Sequence, residues 1–147
     1  MSTTPLAGTE LAQQWCALSA LHERIAGRIE KRLQAEHDLS VREFSLLTVL
    51  SRQSEGRHLQ MRQVAEAVVL SQSATTRLVA RLEDRGLLAR TICKSDRRGI
   101  YTDVTASGAA LLQAARPTHD RALEEALAEA EGEPEYAPLV EALRKIL

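Results

Sequence analysis

The stretch from residue 60 to 104 constrains this chain most, because three unlike local signals follow one another there with almost nothing between them. Residues 60–67 carry Met61, Val64 and Ala65 at helical spacing, which predicts a short helix with those three inward. Gln60 is a poor residue for its N-cap. A second helix is predicted from about Ser71 to Arg85, stopping at Gly86, which suits a left-handed C-terminal cap. Two β-prone runs, 87–92 and 100–104, then flank the polar, basic stretch Lys94-Ser95-Asp96-Arg97-Arg98-Gly99. Such a pair of runs around a charged tip containing Gly predicts a hairpin. Two short helices, a tight turn and a hairpin in this order describe a winged helix-turn-helix.

The flanks are helical. Leu11, Trp15, Leu18, Ile25, Ile29 and Leu33 fall on one stripe of a helix over about 9–36, and a stripe that long requires a long partner surface. Ser40 with Glu43 forms a capping box ahead of Phe44, Leu47 and Leu50. After the hairpin, Thr105 opens a long helix to about Glu131, which Pro117 is expected to bend or weaken. Beyond Gly132 and Pro134, a last helix over 136–147 is expected to turn Leu139, Val140, Leu143 and Ile146 inward. The expected fold is therefore mainly α with a small β-hairpin wing. The whole of 1–147 is read as one domain, with a winged helix-turn-helix over 40–104 and a helical dimerisation region from 9–36 and 105–147.

Charge sharpens this reading. The chain has a net charge of −1, but residues 1–50 sum to −1, 51–100 to +5 and 101–147 to −5. A local basic excess of this kind is either a polyanion footprint or a set of solvated helix faces. On the helix beginning near Ser71, a 100° step per residue puts Ala74, Leu78 and Leu82 on the buried side. It puts Gln72, Ser73, Thr76, Arg77 and Ala80 on the other. Small polar side chains beside an arginine let a helix backbone approach base edges in a major groove. A merely solvated helix more often carries Glu and Lys there. Arg81 and Arg85 lie nearer the buried boundary, where packing or pairing near Glu83 and Asp84 competes with phosphate contact. The cluster Lys94, Arg97 and Arg98 suits a narrow minor groove, with Asp96 able to orient Arg98.

The run Leu70-Ser71-Gln72-Ser73-Ala74-Thr75-Thr76-Arg77-Leu78-Val79 resembles the signature of the MarR family. So do Leu82-Glu83, Gly86-Leu87, Arg90, Asp96-Arg97-Arg98, Val104-Thr105 and Gly108. Val104 stands where that family usually has Leu, and Gln60 where it usually has Ser or Thr. The resemblance implies a homodimeric transcriptional regulator, a repressor of a pseudo-palindromic double-stranded DNA operator, with the first and last helices at the dimer interface. It implies DNA contact by Ser71, Gln72, Ser73, Thr75, Thr76, Arg77, Lys94, Asp96, Arg97 and Arg98. It also implies a small organic ligand as effector, for which Trp15, Cys16, His22, Phe44 and Arg116 are the candidates by position.

Other classes compete poorly. Four aromatics, Trp15, Phe44, Tyr101 and Tyr136, are too few for base stacking as the main mode of binding. There is no Gly-rich phosphate loop, G-x-S-x-G elbow, H-E-x-x-H or Cys-His constellation, so no enzyme activity and no cofactor are expected. His22, His37, His58 and His119 lack helical ligand spacing, so no metal site is expected. Cys16 invites a redox-sensing alternative. Against it, the peroxide-sensing branch has a tyrosine one turn later, where this chain has Ala20, and Cys93 lies in the wing. The urate-binding branch resembles Trp-Asp where this chain has Phe44-Ser45. A winged protein-interaction module would need an apolar, aromatic face instead of the polar one at 72–80. With no signal peptide and no apolar run near ~20 residues, a cytoplasmic location without membrane partners is expected.

Overall fold

The computed structural model of the chain describes residues 7–53, 57–92 and 100–146. Its elements are α1 (Ala7–His37), α2 (Val41–Ser51), α3 (Met61–Val68), α4 (Gln72–Asp84), β1 (Leu88–Ile92), β2 (Ile100–Val104), α5 (Ala106–Glu131) and α6 (Ala137–Arg144). The strands pair antiparallel, with Leu88 opposite Val104 and Ile92 opposite Ile100. No described helix is long and apolar enough to cross a membrane. The fold is mainly α with a two-stranded wing.

The chain divides into two compact units, Leu33–Pro117 and Met1–Arg32 with Thr118–Leu147. In the unit 33–117, α2 packs against α3, α4 and β2, and α4 against β1. Its core is aliphatic: Leu39, Leu46, Leu47, Val64 and Leu82 are all essentially solvent-free. The predicted capping box starts α2, with Ser40 Oγ accepting from Glu43 N at 3.0 Å and Glu43 Oε1 from Ser40 N at 2.8 Å. At the start of α3, Gln63 Oε1 accepts from the Gln60 N–H at 2.8 Å. Gly86 has φ 76°, the left-handed conformation expected of the helix stop. Val69, between α3 and α4, adopts φ 57° without being glycine, a costly conformation for a β-branched residue.

In the other unit, Leu21 on α1 packs with Leu127 and Ala130 on α5, Tyr136, and Val140 on α6. Arginines one helical turn apart on α1 meet glutamates four positions apart on α5 and just beyond its end, the two helices running antiparallel. Arg32 bonds Glu125 at 2.8 Å, Arg28 bonds Glu129, and Arg24 bonds Glu133 while sitting 5.7 Å over the Tyr136 ring. Arg144 closes α6 on Glu124 at 2.7 Å and on Glu131. The hydrogen bond from Arg28 holds the Glu129 carboxyl below its usual range, and Arg144 does the same for Glu124.

One expectation is corrected here. Only Val140 of the last helix is fully buried, whereas Leu143 is 46% and Ile146 73% exposed; Leu143 lies within α6 but off the side that packs on Leu21, Leu127 and Ala130, and Ile146 lies beyond its end. The α1 stripe is buried in its second half, while Leu11, Trp15 and Leu18 are exposed in the single chain. α5 continues through Pro117 as one helix.

Candidate nucleic-acid interface

The candidate site is built on the N-terminal half of α4. Ser71 (φ −64°, ψ 156°) caps the helix, its Oγ accepting from Ala74 N at 3.1 Å. Ser71, Gln72, Ser73, Thr76 and Arg77 are exposed, and Thr76 Oγ1 donates back to Gln72 O at 2.9 Å. That back-bond turns the Thr76 lone pairs and methyl outward. The exposed surface thus offers an amide, hydroxyls and one guanidinium, with little side-chain bulk to hold a partner away.

Thr75 does not belong to that surface. It is 0% exposed, and its Oγ1 donates to Ser71 O at 2.9 Å. The buried face of α4 is Thr75, Leu78, Val79 and Leu82, with Ala74 only half-buried at its margin. On the 100° wheel this centre lies about 50° from the expected one. A threonine hydroxyl satisfied by its own helix can be buried at little cost.

Behind the helix, Glu43 is 5% exposed and accepts from Arg85 Nη1 at 3.0 Å, with Asp38 3.9 Å from the same guanidinium. Arg85 is therefore engaged by α2, not by Glu83 or Asp84. Glu83 instead takes Arg90 at 3.2 Å. Arg81 is exposed.

The wing is anchored at its base by Thr105. Its Oγ1 donates to Gly86 O at 2.7 Å and accepts from Gly108 N at 3.0 Å, while Thr105 N donates to Leu87 O at 3.1 Å. A Cβ at Gly108 would drive into the Leu87 carbonyl and lie 2.8 Å from Val104 Cγ1. That close approach explains the glycine. The expected tip residues Lys94, Asp96, Arg97 and Arg98, together with Cys93, lie outside the described residues.

Sequence reasoning missed Gln53 and His58, which lie just after α2 and just before α3 and touch β2. Nothing in the polar stretch 51–58 marks them, since their partners are forty to fifty positions away.

The effector candidates are distributed over both units. Trp15 and His22 line a groove of about 350 Å³ formed by α1 alone. Cys16, exposed, lines another of about 460 Å³ with Ala20 and Tyr136. Arg116 lines a cleft of about 510 Å³ with Leu50, Gln53, Asp103 and Leu112, within the unit 33–117. Phe44 lines none of these three; it is 8% exposed, packed into the core.

Comparisons with known proteins bear on the same region. A model of the MarR family matches residues 37–99. The HTH-type transcriptional regulator PecS of Dickeya dadantii (strain 3937) is 32% identical over 78 residues, 53% of this chain and only 47%, about half, of PecS. The HTH-type transcriptional regulator MhqR of Bacillus subtilis (strain 168) is 27% identical over 108 residues, 74% of this chain and 72% of MhqR. The crystal structure of CouR from Rhodococcus jostii RHA1, bound to p-coumaroyl-CoA, superimposes with a TM-score of 0.70. It is 32% identical, covering 86% of this chain and 83% of that one.

Proposed function

The chain belongs to the MarR family, and from that premise we propose that it is a homodimeric repressor binding a pseudo-palindromic double-stranded DNA operator. The observation that carries the reading is the small, polar, exposed face of Gln72, Ser73, Thr76 and Arg77 at the capped start of α4. Such a face reads base edges in a major groove, while the N-terminal helix dipole favours a phosphate beside Ser71. Lys94, Arg97 and Arg98 on the wing supply the minor-groove contact, with Asp96 orienting Arg98. A second copy covers Leu11, Trp15 and Leu18, so the two α4 helices address half-sites about one helical turn apart.

An organic ligand modulates DNA affinity in this reading. CouR, which holds p-coumaroyl-CoA, supports that chemistry, and the cleft containing Arg116 is the described cavity with a cation beside an apolar floor. Its size suits a small molecule. The decisive experiment selects duplexes from a random pool at ~150 mM salt and titrates the winner. A pseudo-palindrome bound at 10⁻⁸ M or tighter, on the order of specific operators, is the expected result. Arg98→Ala should then weaken binding and lower the salt slope by about 1. Weak binding without an enriched motif overturns the reading.

A further inference from the structure

A two-stranded hairpin is at best marginal on its own in water, so what holds the β1–β2 wing decides where it points. We propose that Gln53 is a positioning residue that fixes the wing against the segment entering α3, with His58 as its second point of grip. The inference rests on the wing's proposed role in DNA binding.

The Gln53 carboxamide stands between two backbones. Its Nε2 donates to Thr102 O on β2 at 2.8 Å, with Leu50 O at 3.3 Å and Asp103 Oδ1 at 3.4 Å as further acceptors. Its Oε1 accepts from Leu59 N at 2.8 Å. The amide fits only this way round: reversed, an oxygen would face three acceptors and an NH₂ would face an N–H. Gln53 thus stands beside β2, which has no further strand paired to it among the described residues.

His58 lies against one residue to either side of that bond. Its ring packs 4.6 Å from that of Tyr101, and its buried Nδ1 sits 3.5 Å from Asp103 Oδ1 without forming a hydrogen bond. Asp103 Oδ2 in turn accepts from Thr91 Oγ1 at 2.8 Å, carrying the grip across to β1. Tyr101, Thr102 and Asp103 are therefore all held from the connection between α2 and α3. A wing held this way has its orientation settled before DNA arrives, so binding does not have to supply the ordering entropy.

The test compares the full chain with its Gln53→Glu, Arg98→Ala and doubly substituted forms on the selected operator. Glutamate keeps the size and the acceptor for Leu59 N but turns an anionic oxygen on Thr102 O, Leu50 O and Asp103. Gln53→Glu should weaken binding about tenfold and lower the salt slope by about 1. Adding Arg98→Ala to it should cost less than about twofold further, whereas adding Arg77→Ala should cost its full separate effect. Wild-type affinity in Gln53→Glu, or a full multiplicative loss with Arg98→Ala, overturns the proposal. Amide exchange on Gln53→Glu and Gln53→Met supplies an independent arm. Faster exchange across β2 in both variants, and at Leu59 in Gln53→Met alone, with α4 unchanged, is expected; unchanged exchange overturns the proposal. Arg98→Ala binding like wild type would defeat the DNA-contact role of the wing, and the exchange data would still decide what Gln53 does.

Discussion

The two units solve the problem of burial in opposite ways. Residues 33–117 put Leu39, Leu46, Leu47 and Leu82 out of solvent within a single chain. The unit formed by the chain ends leaves Leu11, Trp15 and Leu18 exposed and holds α1 to α5 with a row of arginine–glutamate pairs. Surface ion pairs contribute little each and weaken with salt. One unit therefore holds its core within a single chain, while the other leaves a row of apolar side chains on α1 exposed. The difference teaches that the unit carrying α4 is organised by its own burial, and that the proposed dimer would complete the other.

The largest effect should come from pairing Leu82→Ala with Trp15→Ala. Leu82→Ala should cost roughly 2–5 kcal/mol in denaturant unfolding at any protein concentration. Trp15→Ala should instead abolish the concentration dependence of the unfolding midpoint and shift sedimentation toward the monomer. If Trp15→Ala destabilised a dilute monomer as much as Leu82→Ala, the contrast between the units would collapse. A smaller change sharpens it from within the self-sufficient unit. Val69→Gly removes the left-handed valine, 86% exposed, and should raise stability by roughly 1 kcal/mol; a lower unfolding midpoint would mean that Val69 makes contacts worth more than its strain.

The smallest effect concerns acid. Glu129 and Glu124 have folded-state pKa values depressed by Arg28 and Arg144, below the ordinary value of 4.5. Their contribution is fully present above that ordinary value and is lost as pH falls through the folded one. A stability–pH curve should therefore decline below about 4.5, and Glu129→Gln should flatten that decline. An unaltered slope would assign the acid loss to other carboxylates.

Features fixed by neighbours in sequence were legible in advance. The Ser40–Glu43 box, the Gly86 stop and the hairpin all depend on contacts within a few residues, and each stands where the residues implied. The face of α4 was legible only to about 50°, because a threonine able to satisfy its own hydroxyl reads as polar yet packs as core at Thr75. The partner of Arg85 could not be read, since Glu43 is brought to it only by the packing of α2 on α4. Gln53 and His58 were invisible for the same reason: their roles exist only once β2 lies beside them. Leu143 and Ile146 show the converse, an apolar pattern that a single chain does not bury.

Glu43 and Arg85, 42 positions apart, are joined across the packing of α2 on α4. One oxygen of Glu43 closes the start of α2 and the other receives the guanidinium, almost wholly out of water. Loss of Arg85 strands a carboxylate that the interior tolerates poorly, whereas loss of Glu43 leaves an exposed guanidinium free to turn to water. The two substitutions are therefore unequal, the one at Arg85 costing the pair more than its hydrogen bond. The C-terminal end of α4 is thereby tied to the start of α2, while Gln72 and Arg77 at its other end carry no such tie to the core.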